Sequence, residues 1–455
     1  MKKVLPAFLC KTPRTLEIFI FYIVKKAFFS PFVFTINKIC GMMETENGKG
    51  HVMDSKNIGN IILKLRKKNG MTQYELARHL AVTDKAVSRW ENGQGFPDIT
   101  IFPRLAELFG VSIDYLMLGD KKGITVAGNM ILDIVKNIAD YPECGMLSYI
   151  SDVSYAVGGC APNTAIDLAR IDPTIPISVI GKVGTDENGR FILSRLQQSG
   201  INVSKVSFSY NTPTGFCDVM SIPSGDRTFF HQKGANAEFG MDDIDLSSLG
   251  CDILHIGYIL LLDRFDAEDK EYGTVMARFL HKVQAFGIKT SIDMVSHTHA
   301  DYGKKLIPIL KYCNYVIIND IECCAIWNMP SRREDGSLIR ENLILAMEKT
   351  IDAGVQDRVL IHCKERCFAM DTTKKLTEVA SLNIPKDQIK GRVGAGDAFS
   401  AGCLYGIYNN YNDQQLLEFA SAAAACNLFA ANSVDGMKPK REILQIAEKY
   451  GRLPT

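Results

Sequence analysis

Apolar residues recur along this chain with two different periods, and the change from one to the other divides it. From Asp54 to Leu118 the period is helical. Ile58, Ile61, Ile62 and Leu65 stand at i, i+3, i+4 and i+7, one stripe of a first helix that carries Arg66, Lys67 and Lys68 at its end and stops at Asn69-Gly70. Thr72 and Glu75 have capping-box spacing ahead of a short second helix through Leu76, Ala77 and Leu80. After Ala81-Val82, Thr83 is a suitable N-cap for a third helix with Val87 and Trp90 inward, which leaves Asp84, Lys85, Ser88 and Arg89 outside. Two more helices are predicted over 101–109 and 113–118. From Ile124 to about Tyr450 the pattern changes to alternation of apolar runs with amphipathic segments. Ile124–Val126, Ile177–Ile180, Ile253–Ile256, Thr290–Ile292, Tyr315–Ile318 and Arg358–Ile361 read as strands, and stretches such as Val275–Phe286 and Leu343–Ala353 as helices, the signature of an α/β sheet. Residues 147–157 and 215–233 break the alternation. They read as hairpin-like strands, the second around Pro223-Ser224-Gly225-Asp226, and predict a small β lid over the sheet edge.

Composition narrows the class. A chain of 455 residues, 46% apolar and 23% charged, has room for two or three globular domains, and a net charge of +1 excludes a chain-wide basic field. Thirteen cysteines without a C-x-x-C pair argue for reduced thiols and a cytoplasmic protein. Cys363-x-x-x-Cys367, Cys323-Cys324 and His297-x-His299 complete no four-ligand set, so no structural metal is expected. Residues 1–41, the greater part of an extension that runs to residue 52, differ from the rest in being aromatic, apolar and basic. Their longest apolar run, Ile18 to Val24, falls far short of the ~20 residues of a spanning helix, and Pro31 interrupts the next. The segment is expected to be a little-structured extension, with Met53 as a natural start. A surface-lying anchor through Lys2, Lys3, Lys25 and Lys26 is the weaker alternative, and no stable membrane insertion is predicted. The expected domains are therefore residues 54–118, a linker at 119–123 short enough for the two sides to sense each other, and residues 124–455.

Two short helices joined by a tight turn, the second presenting polar and basic side chains, fit a major groove, and Lys85 and Arg89 lie one turn apart. The bland alternative is a small helical bundle with solvated basic residues. Gln73-Tyr74-Glu75-Leu76-Ala77 and Val87-Ser88-Arg89-Trp90-Glu91-Asn92-Gly93 resemble the Cro/phage-repressor (XRE) type of helix-turn-helix over about residues 55–118. That resemblance implies a recognition helix from Thr83 to Trp90 carrying Asp84, Lys85, Ser88 and Arg89, with Gln73 touching phosphate of double-stranded DNA. Modules of this kind usually work as dimers, so a homodimer is expected.

The most informative stretch of the larger domain is Val393-Gly394-Ala395-Gly396-Asp397-Ala398-Phe399, which opens a helical segment rich in small residues. Glycines there let backbone N–H groups converge on an anion at a helix N-terminus, and Asp397 would be a base beside it. The alternative is a glycine turn capped by an aspartate; the stretch is neither a Walker loop nor a dinucleotide fingerprint. Four more clusters accompany it. Gly128-Asn129-x-x-x-Asp133 follows the first strand and places a carboxylate at the sheet's carboxyl edge, unless Asp133 is a turn residue. Gly158-Gly159-Cys160-Ala161-Pro162-Asn163 gives a close backbone approach and an amide, or a turn and an N-cap. Gly181-x-Val183-Gly184-x-Asp186-x-x-Gly189 follows another strand and is otherwise an ordinary loop. Asn319-Asp320-Ile321-Glu322 is also the pattern of a helix cap.

In this order and spacing the clusters resemble the ribokinase-like (PfkB-type) carbohydrate kinases over nearly all of residues 124–450. The resemblance implies a three-layer α/β sandwich with a small β lid, behind the all-α helix-turn-helix domain, and ATP-dependent phosphorylation of a sugar or nucleoside hydroxyl. It implies Asp397 as catalytic base, Gly394, Ala395 and Gly396 as the anion hole, and Asp133, Gly158, Gly159 and Asn163 as substrate contacts. Asn319 and Glu322 would serve the Mg²⁺ and phosphate region, Glu322 acting on the metal indirectly. The lid would keep water from the transferred group. Gly391-Arg392 stand where the family has Asp-Thr, which speaks against a monovalent-cation site. His362-Cys363-Lys364-Glu365-Arg366-Cys367 replaces the usual Thr-x-Gly-x-x-Gly nucleotide loop. The competing class is a non-catalytic sugar-sensing transcriptional regulator that keeps the kinase fold as its ligand-binding domain; retention of Asp397 beside an anion hole favours catalysis.

Overall fold

A computed structural model describes residues 55–111, 113–118, 122–223, 227–296 and 301–454. The extension at 1–52, most of the linker, the Ser224-Gly225-Asp226 turn and His297-x-His299 lie outside the described residues. The chain divides into two compact units between Lys121 and Lys122.

Among the described residues the first unit has five α-helices: α1 (Ser55–Lys68), α2 (Gln73–Leu80), α3 (Asp84–Glu91), α4 (Phe102–Phe109) and α5 (Ile113–Leu118). The capping box forms as its spacing predicts, with the Glu75 amide donating to Thr72 Oγ1 at 3.2 Å and the Thr72 amide to Glu75 Oε2 at 2.7 Å. Thr83 Oγ1 likewise accepts from the Ala86 amide. Ile62, Leu76, Leu80, Val87, Leu105 and Leu116 close a core of their own. Arg66 does not join the exposed basic cluster that its place beside Lys67 and Lys68 suggests. It turns inward and grips Glu91 through two hydrogen bonds of 2.5 and 2.8 Å, while Gln73 Nε2 donates to the same carboxylate at 2.7 Å. One buried ion pair thus ties α1 and α2 to α3.

The second unit begins with β1 (Ile124–Ala127), β2 (Ile131–Ile138), β3 (Ile150–Gly158), α6 (Cys160–Ile171), β4 (Ile177–Ile180), β5 (Lys182–Gly184), α7 (Glu187–Gln198), β6 (Ser207–Ser209), β7 (Gly215–Ser221) and β8 (Arg227–Gln232). It continues with β9 (Ile253–Ile259), β10 (Glu268–Asp269), β11 (Gly273–Thr274), α8 (Val275–Ala285), β12 (Lys289–Met294), α9 (Tyr302–Leu310), β13 (Tyr315–Asn319), α10 (Asp320–Ile326) and α11 (Arg340–Asp352). The last elements are β14 (Arg358–His362), β15 (Arg366–Asp371), β16 (Leu376–Ala380), α12 (Ala395–Tyr408), α13 (Asp413–Asn427) and α14 (Lys440–Tyr450).

An eight-stranded sheet in the order β16-β15-β14-β13-β12-β9-β1-β4 forms the middle layer, parallel except for β15 and β16. Side chains alternate between two cores. Ile317 packs with α6, α12 and α13 on one face, and Val316 and Ile318 with α8 to α11 on the other. Burial on both faces is why these strands read as continuous apolar runs.

The lid is a four-stranded sheet, β3-β2-β7-β8. It corrects the sequence reading in one respect: besides the strands at 150–158 and 215–232 it contains β2, so Asp133 stands in the lid and not at the carboxyl edge of the main sheet. Only Gly128-Asn129-Met130 separate β1 from β2, and that spacing reads as one strand with its trailing turn. The chain changes sheets there because Gly128 has φ 146° and an added Cβ would stand 2.4 Å from Cys160 Sγ. Asn236 pins the crossing, accepting from the Met130 amide at 2.8 Å and donating to its carbonyl at 2.9 Å. Among the described residues no helix is long and apolar enough to cross a membrane.

Glu91→Ala leaves the Arg66 charge buried without its partner. The expected cost to the helix-turn-helix unit is about 3–5 kcal/mol, read from Trp90 fluorescence during urea unfolding in a Trp327→Phe background.

Candidate active site

Asp397 sits in the first turn of α12, fully buried. Gly394 precedes the helix with φ 79°, and a Cβ at that position would lie 2.3 Å from the Ser433 carbonyl oxygen, so only glycine fits. No side chain caps α12; the Ala395 amide, expected in the anion hole, donates to the Arg392 carbonyl at 3.4 Å, and the Gly396 and Asp397 amides face an anion site at the positive end of the helix. At Gly396 a Cβ would make only an ordinary contact, 3.5 Å from the His362 ring.

Two donors from different elements hold Asp397 by the same oxygen. Asn163 Nδ2, from α6, donates to Oδ2 at 2.9 Å, and the Tyr258 hydroxyl, from the end of β9, donates to Oδ2 at 3.2 Å. Oδ1 is buried and has no hydrogen-bond partner among the described residues. Burial pushes the Asp397 carboxyl up to about 6, against the two hydrogen bonds, which pull it down. Asn163, which the family resemblance makes a substrate contact, has its amide engaged on both sides, since its Oδ1 accepts from Ser433 Oγ at 3.0 Å.

Asp133 reaches in from β2. Its carboxylate lies against Gly158, where an added Cβ would meet Asp133 Oδ2 at 2.4 Å. Burial, then the nearby Asp397 charge, push Asp133 up to about 7, and Arg227 opposes the shift. Gly159 has φ 91° and leads into α6, whose Cys160 amide is capped by Asn129 Oδ1 at 3.1 Å. The glycine pair therefore makes room for one carboxylate and starts the helix that carries Asn163.

On the neighbouring strands a second acidic group forms. Asn319 and Glu322 make a reciprocal cap at the start of α10, the Glu322 amide donating to Asn319 Oδ1 at 2.8 Å and the Asn319 amide to Glu322 Oε2 at 3.1 Å. Glu322 Oε1 also accepts from Ser296 Oγ. The cap and the acidic site coexist, because capping turns Glu322 inward. Burial pushes Glu322 up to about 7, and it pushes Asp293, at the end of β12, well above the carboxylate range, helped by Glu322 and Asp397. Asp293 and Tyr258 do not stand out in the sequence. Their only signal is a polar side chain closing a buried strand, which carries no motif.

Two clusters turn out to be structural. Asp186 caps α7 through the Gly189 amide and accepts from the Thr214 amide and hydroxyl, fixing the entry to β7. His362 to Cys367 form the tight β14–β15 hairpin, its outer side held by Arg332, which binds Asp320 and Glu365. Gly391 packs against the carbonyls of Ala430 and Ala431. In the first unit Thr83, Asp84, Lys85 and Arg89 are exposed and Ser88 is half-buried, all on or beside α3, while Gln73 is half-buried with its amide on Glu91.

The residues fit the groups that ATP·Mg²⁺ would bring. An uncapped helix start with a left-handed glycine suits a phosphate, and the pair Asp293 and Glu322, both raised by burial, suits a divalent cation. No group of three or more His, Cys, Asp or Glu among the described residues forms a metal cage.

Comparison with known proteins agrees with the geometry. Residues 121–440 match the pfkB family carbohydrate kinases and residues 62–116 match a helix-turn-helix family. The chain belongs to the pfkB carbohydrate kinase family and carries an N-terminal helix-turn-helix domain. It is 25% identical over 320 residues to 2-dehydro-3-deoxygluconokinase of Bacillus subtilis (strain 168), covering 66% of this chain and 89% of that protein. It is 24% identical to 5-dehydro-2-deoxygluconokinase of Geobacillus kaustophilus, covering 65% and 85%. The structure of Arabidopsis thaliana ribokinase complexed with ribose and ATP superposes with a TM-score of 0.59 at 20% identity, over 72% of this chain and 98% of that one. The fold is ribokinase-like.

Gly394→Ala forces a side chain into left-handed backbone and against Ser433. A loss of at least ~1–2 kcal/mol from the backbone alone is expected, seen as a lower Tm, together with weaker ATP binding by calorimetry.

Proposed function

We propose that the second unit transfers the γ-phosphoryl group of ATP to a hydroxyl of a sugar or sugar acid, and that the first unit binds double-stranded DNA. The observation that carries the kinase reading is the Asp397 carboxylate: one oxygen is held by two donors, and the other is buried and free beside an uncapped helix start. In this reading Asp397 Oδ1 takes the proton of the acceptor hydroxyl as the O–H bond breaks. The alcohol oxygen bonds to the γ-phosphorus, and the bond to the bridging oxygen breaks with its electron pair leaving on ADP. The first amides of α12 neutralise charge on the transferred group, and Asp133 holds neighbouring hydroxyls of the acceptor. Asp293 and Glu322 would hold Mg²⁺, which when bound would supply neutralisation of phosphate charge. The lid sheet excludes water, which favours transfer over hydrolysis.

The names of the relatives choose the first acceptors to test: 2-dehydro-3-deoxygluconate and 5-dehydro-2-deoxygluconate, beside ribose and a nucleoside. With Mg·ATP, one of these is expected to turn over, and Asp397→Asn to lower kcat by about 10²–10⁴-fold. Saturable binding of an acceptor without ADP formation would favour the non-catalytic sensor instead. The base works only when ionised, so kcat/KM should rise with pH through the 6–7 region set by Asp397 and Asp133 and level off above it. The stability sign is the reverse. Both carboxyls are raised above their unfolded value, so the stability they contribute is full at acid pH and is lost as pH rises through about 6–7.

For the first unit, exposed Lys85 and Arg89 one turn apart on α3 support binding to the groove and to phosphates. Replacing both with alanine is expected to weaken binding to a random-sequence duplex and to reduce the slope of log affinity against log salt by about one for each phosphate no longer neutralised, measured by fluorescence anisotropy. A homodimer in the cytoplasm completes the reading, two copies presenting two α3 helices to adjacent half-sites. Exposed apolar side chains on the lid, Tyr149, Tyr155 and Phe230 among them, offer a surface for that pairing.

A further inference from the structure

Tyr258 has a backbone that its side chain does not favour. Its φ is 54°, and Leu260 two residues on has φ 86°, so the end of β9 holds two bulky residues in left-handed conformation. Such strain persists where the surroundings over-determine it and clusters at functional positions. Gly257 allows the close approach: a Cβ there would stand 2.9 Å from the Cys160 side chain, at the start of the helix that carries Asn163. What the strained backbone delivers is one hydrogen bond, from the Tyr258 hydroxyl to Asp397 Oδ2.

The pattern around that carboxylate is asymmetric. Oδ2 receives both Tyr258 and Asn163, and Oδ1 receives nothing. Asn163 cannot swap its amide ends freely, because Ser433 Oγ donates to its Oδ1 and so leaves Nδ2 for Asp397. Two donors at different angles on one oxygen also stop the carboxylate rotating about its Cβ–Cγ bond. We propose that Tyr258 is a positioning residue which, together with Asn163, locks Asp397 so that Oδ1 alone is presented to the acceptor hydroxyl. The inference rests on the reading of Asp397 as the base and adds which oxygen acts and what holds it.

Charge considerations point the same way. The ionisable groups within reach of the Asp397 charge are Asp133 from β2, Cys160 and Asp167 from α6 and Asp293 from β12, besides Tyr258 itself. His362 from β14 lies beyond Gly396. The Asp397 charge raises the carboxyls among these, whereas Asp397 itself is raised by burial, and burial keeps His362 neutral, its value down to about 4. The hydrogen bonds from Asn163 and Tyr258 are what oppose burial, and the phenol, raised well above its usual range by burial and the Asp397 charge, keeps its proton to donate.

The test is Tyr258→Phe, which removes the hydroxyl and leaves the ring. Two readouts are needed. The first is a ¹³C carboxyl NMR titration of the full-length chain with labelled aspartate, the Asp397 signal being assigned by its loss in Asp397→Asn and the titration repeated in an Asp133→Asn background. The signal is expected to titrate near 6 in the wild type and about one unit higher in Tyr258→Phe, the size of shift that one hydrogen bond to a carboxylate produces. The second is the pH profile of kcat with whichever of 2-dehydro-3-deoxygluconate, 5-dehydro-2-deoxygluconate or ribose turns over. Its acid limb should move up with the NMR value while KM for ATP is unchanged. A Tyr258→Phe variant with an unshifted Asp397 titration, or with a rate lowered equally at every pH, overturns the inference. Wild-type turnover by Asp397→Asn would instead overturn the reading of Asp397 as base, so the two failures are distinguishable.

Discussion

A carboxylate held away from water at the start of a helix is costly, and the neighbourhood of Asp397 is organised around that cost. An ionised group so deeply buried persists only with hydrogen bonds to it, and here they come from two separate elements: Asn163 on α6 and Tyr258 at the end of β9. Each donor depends on its own supports. Asn163 is oriented by Ser433, and the helix that carries it starts where Gly158 and Gly159 let the chain pass Asp133 and Asn129. The glycines of the site are therefore responses to crowding, and the crowding exists because two carboxylates and a helix start converge.

The same constraint governs the lid. Asp133 belongs to a sheet that leaves the central layer within three residues of β1, pinned at the crossing by Asn236. Asp133 thus stands on the lid sheet and Asp397 on helix α12. Motion of the lid would change the distance between Asp133 and Asp397, and with it the mutual repulsion that helps to raise Asp133.

Legibility in the sequence follows the range of the interaction. The Thr72–Glu75 cap, the Thr83 cap and the parallel strands are readable because their causes lie within a few residues or in burial on both faces. Strand β2 is not, since three residues between it and β1 look like a turn after one strand. Strands β15 and β16 are equally hidden: they form an antiparallel edge without the intervening helices that mark the rest of the sheet. The Arg66–Glu91 pair spans 25 positions and the Asn163–Asp397 bond spans 234, distances over which no periodicity carries information. Asp397 and Gly394 are legible because a glycine-flanked acid at a helix start has a local physical meaning. Tyr258 and Asp293 have theirs only in three dimensions.

The central claim is that the first amides of α12 receive the transferred group directly beside Asp397 Oδ1. A crystal structure of the full chain with Mg·ADP, aluminium fluoride and a bound acceptor tests it most directly. The account predicts fluoride atoms within hydrogen-bond distance of the Gly396 and Asp397 amides, with an acceptor hydroxyl on Oδ1. An aluminium fluoride group bound elsewhere, or an acceptor hydroxyl remote from Asp397, would contradict it.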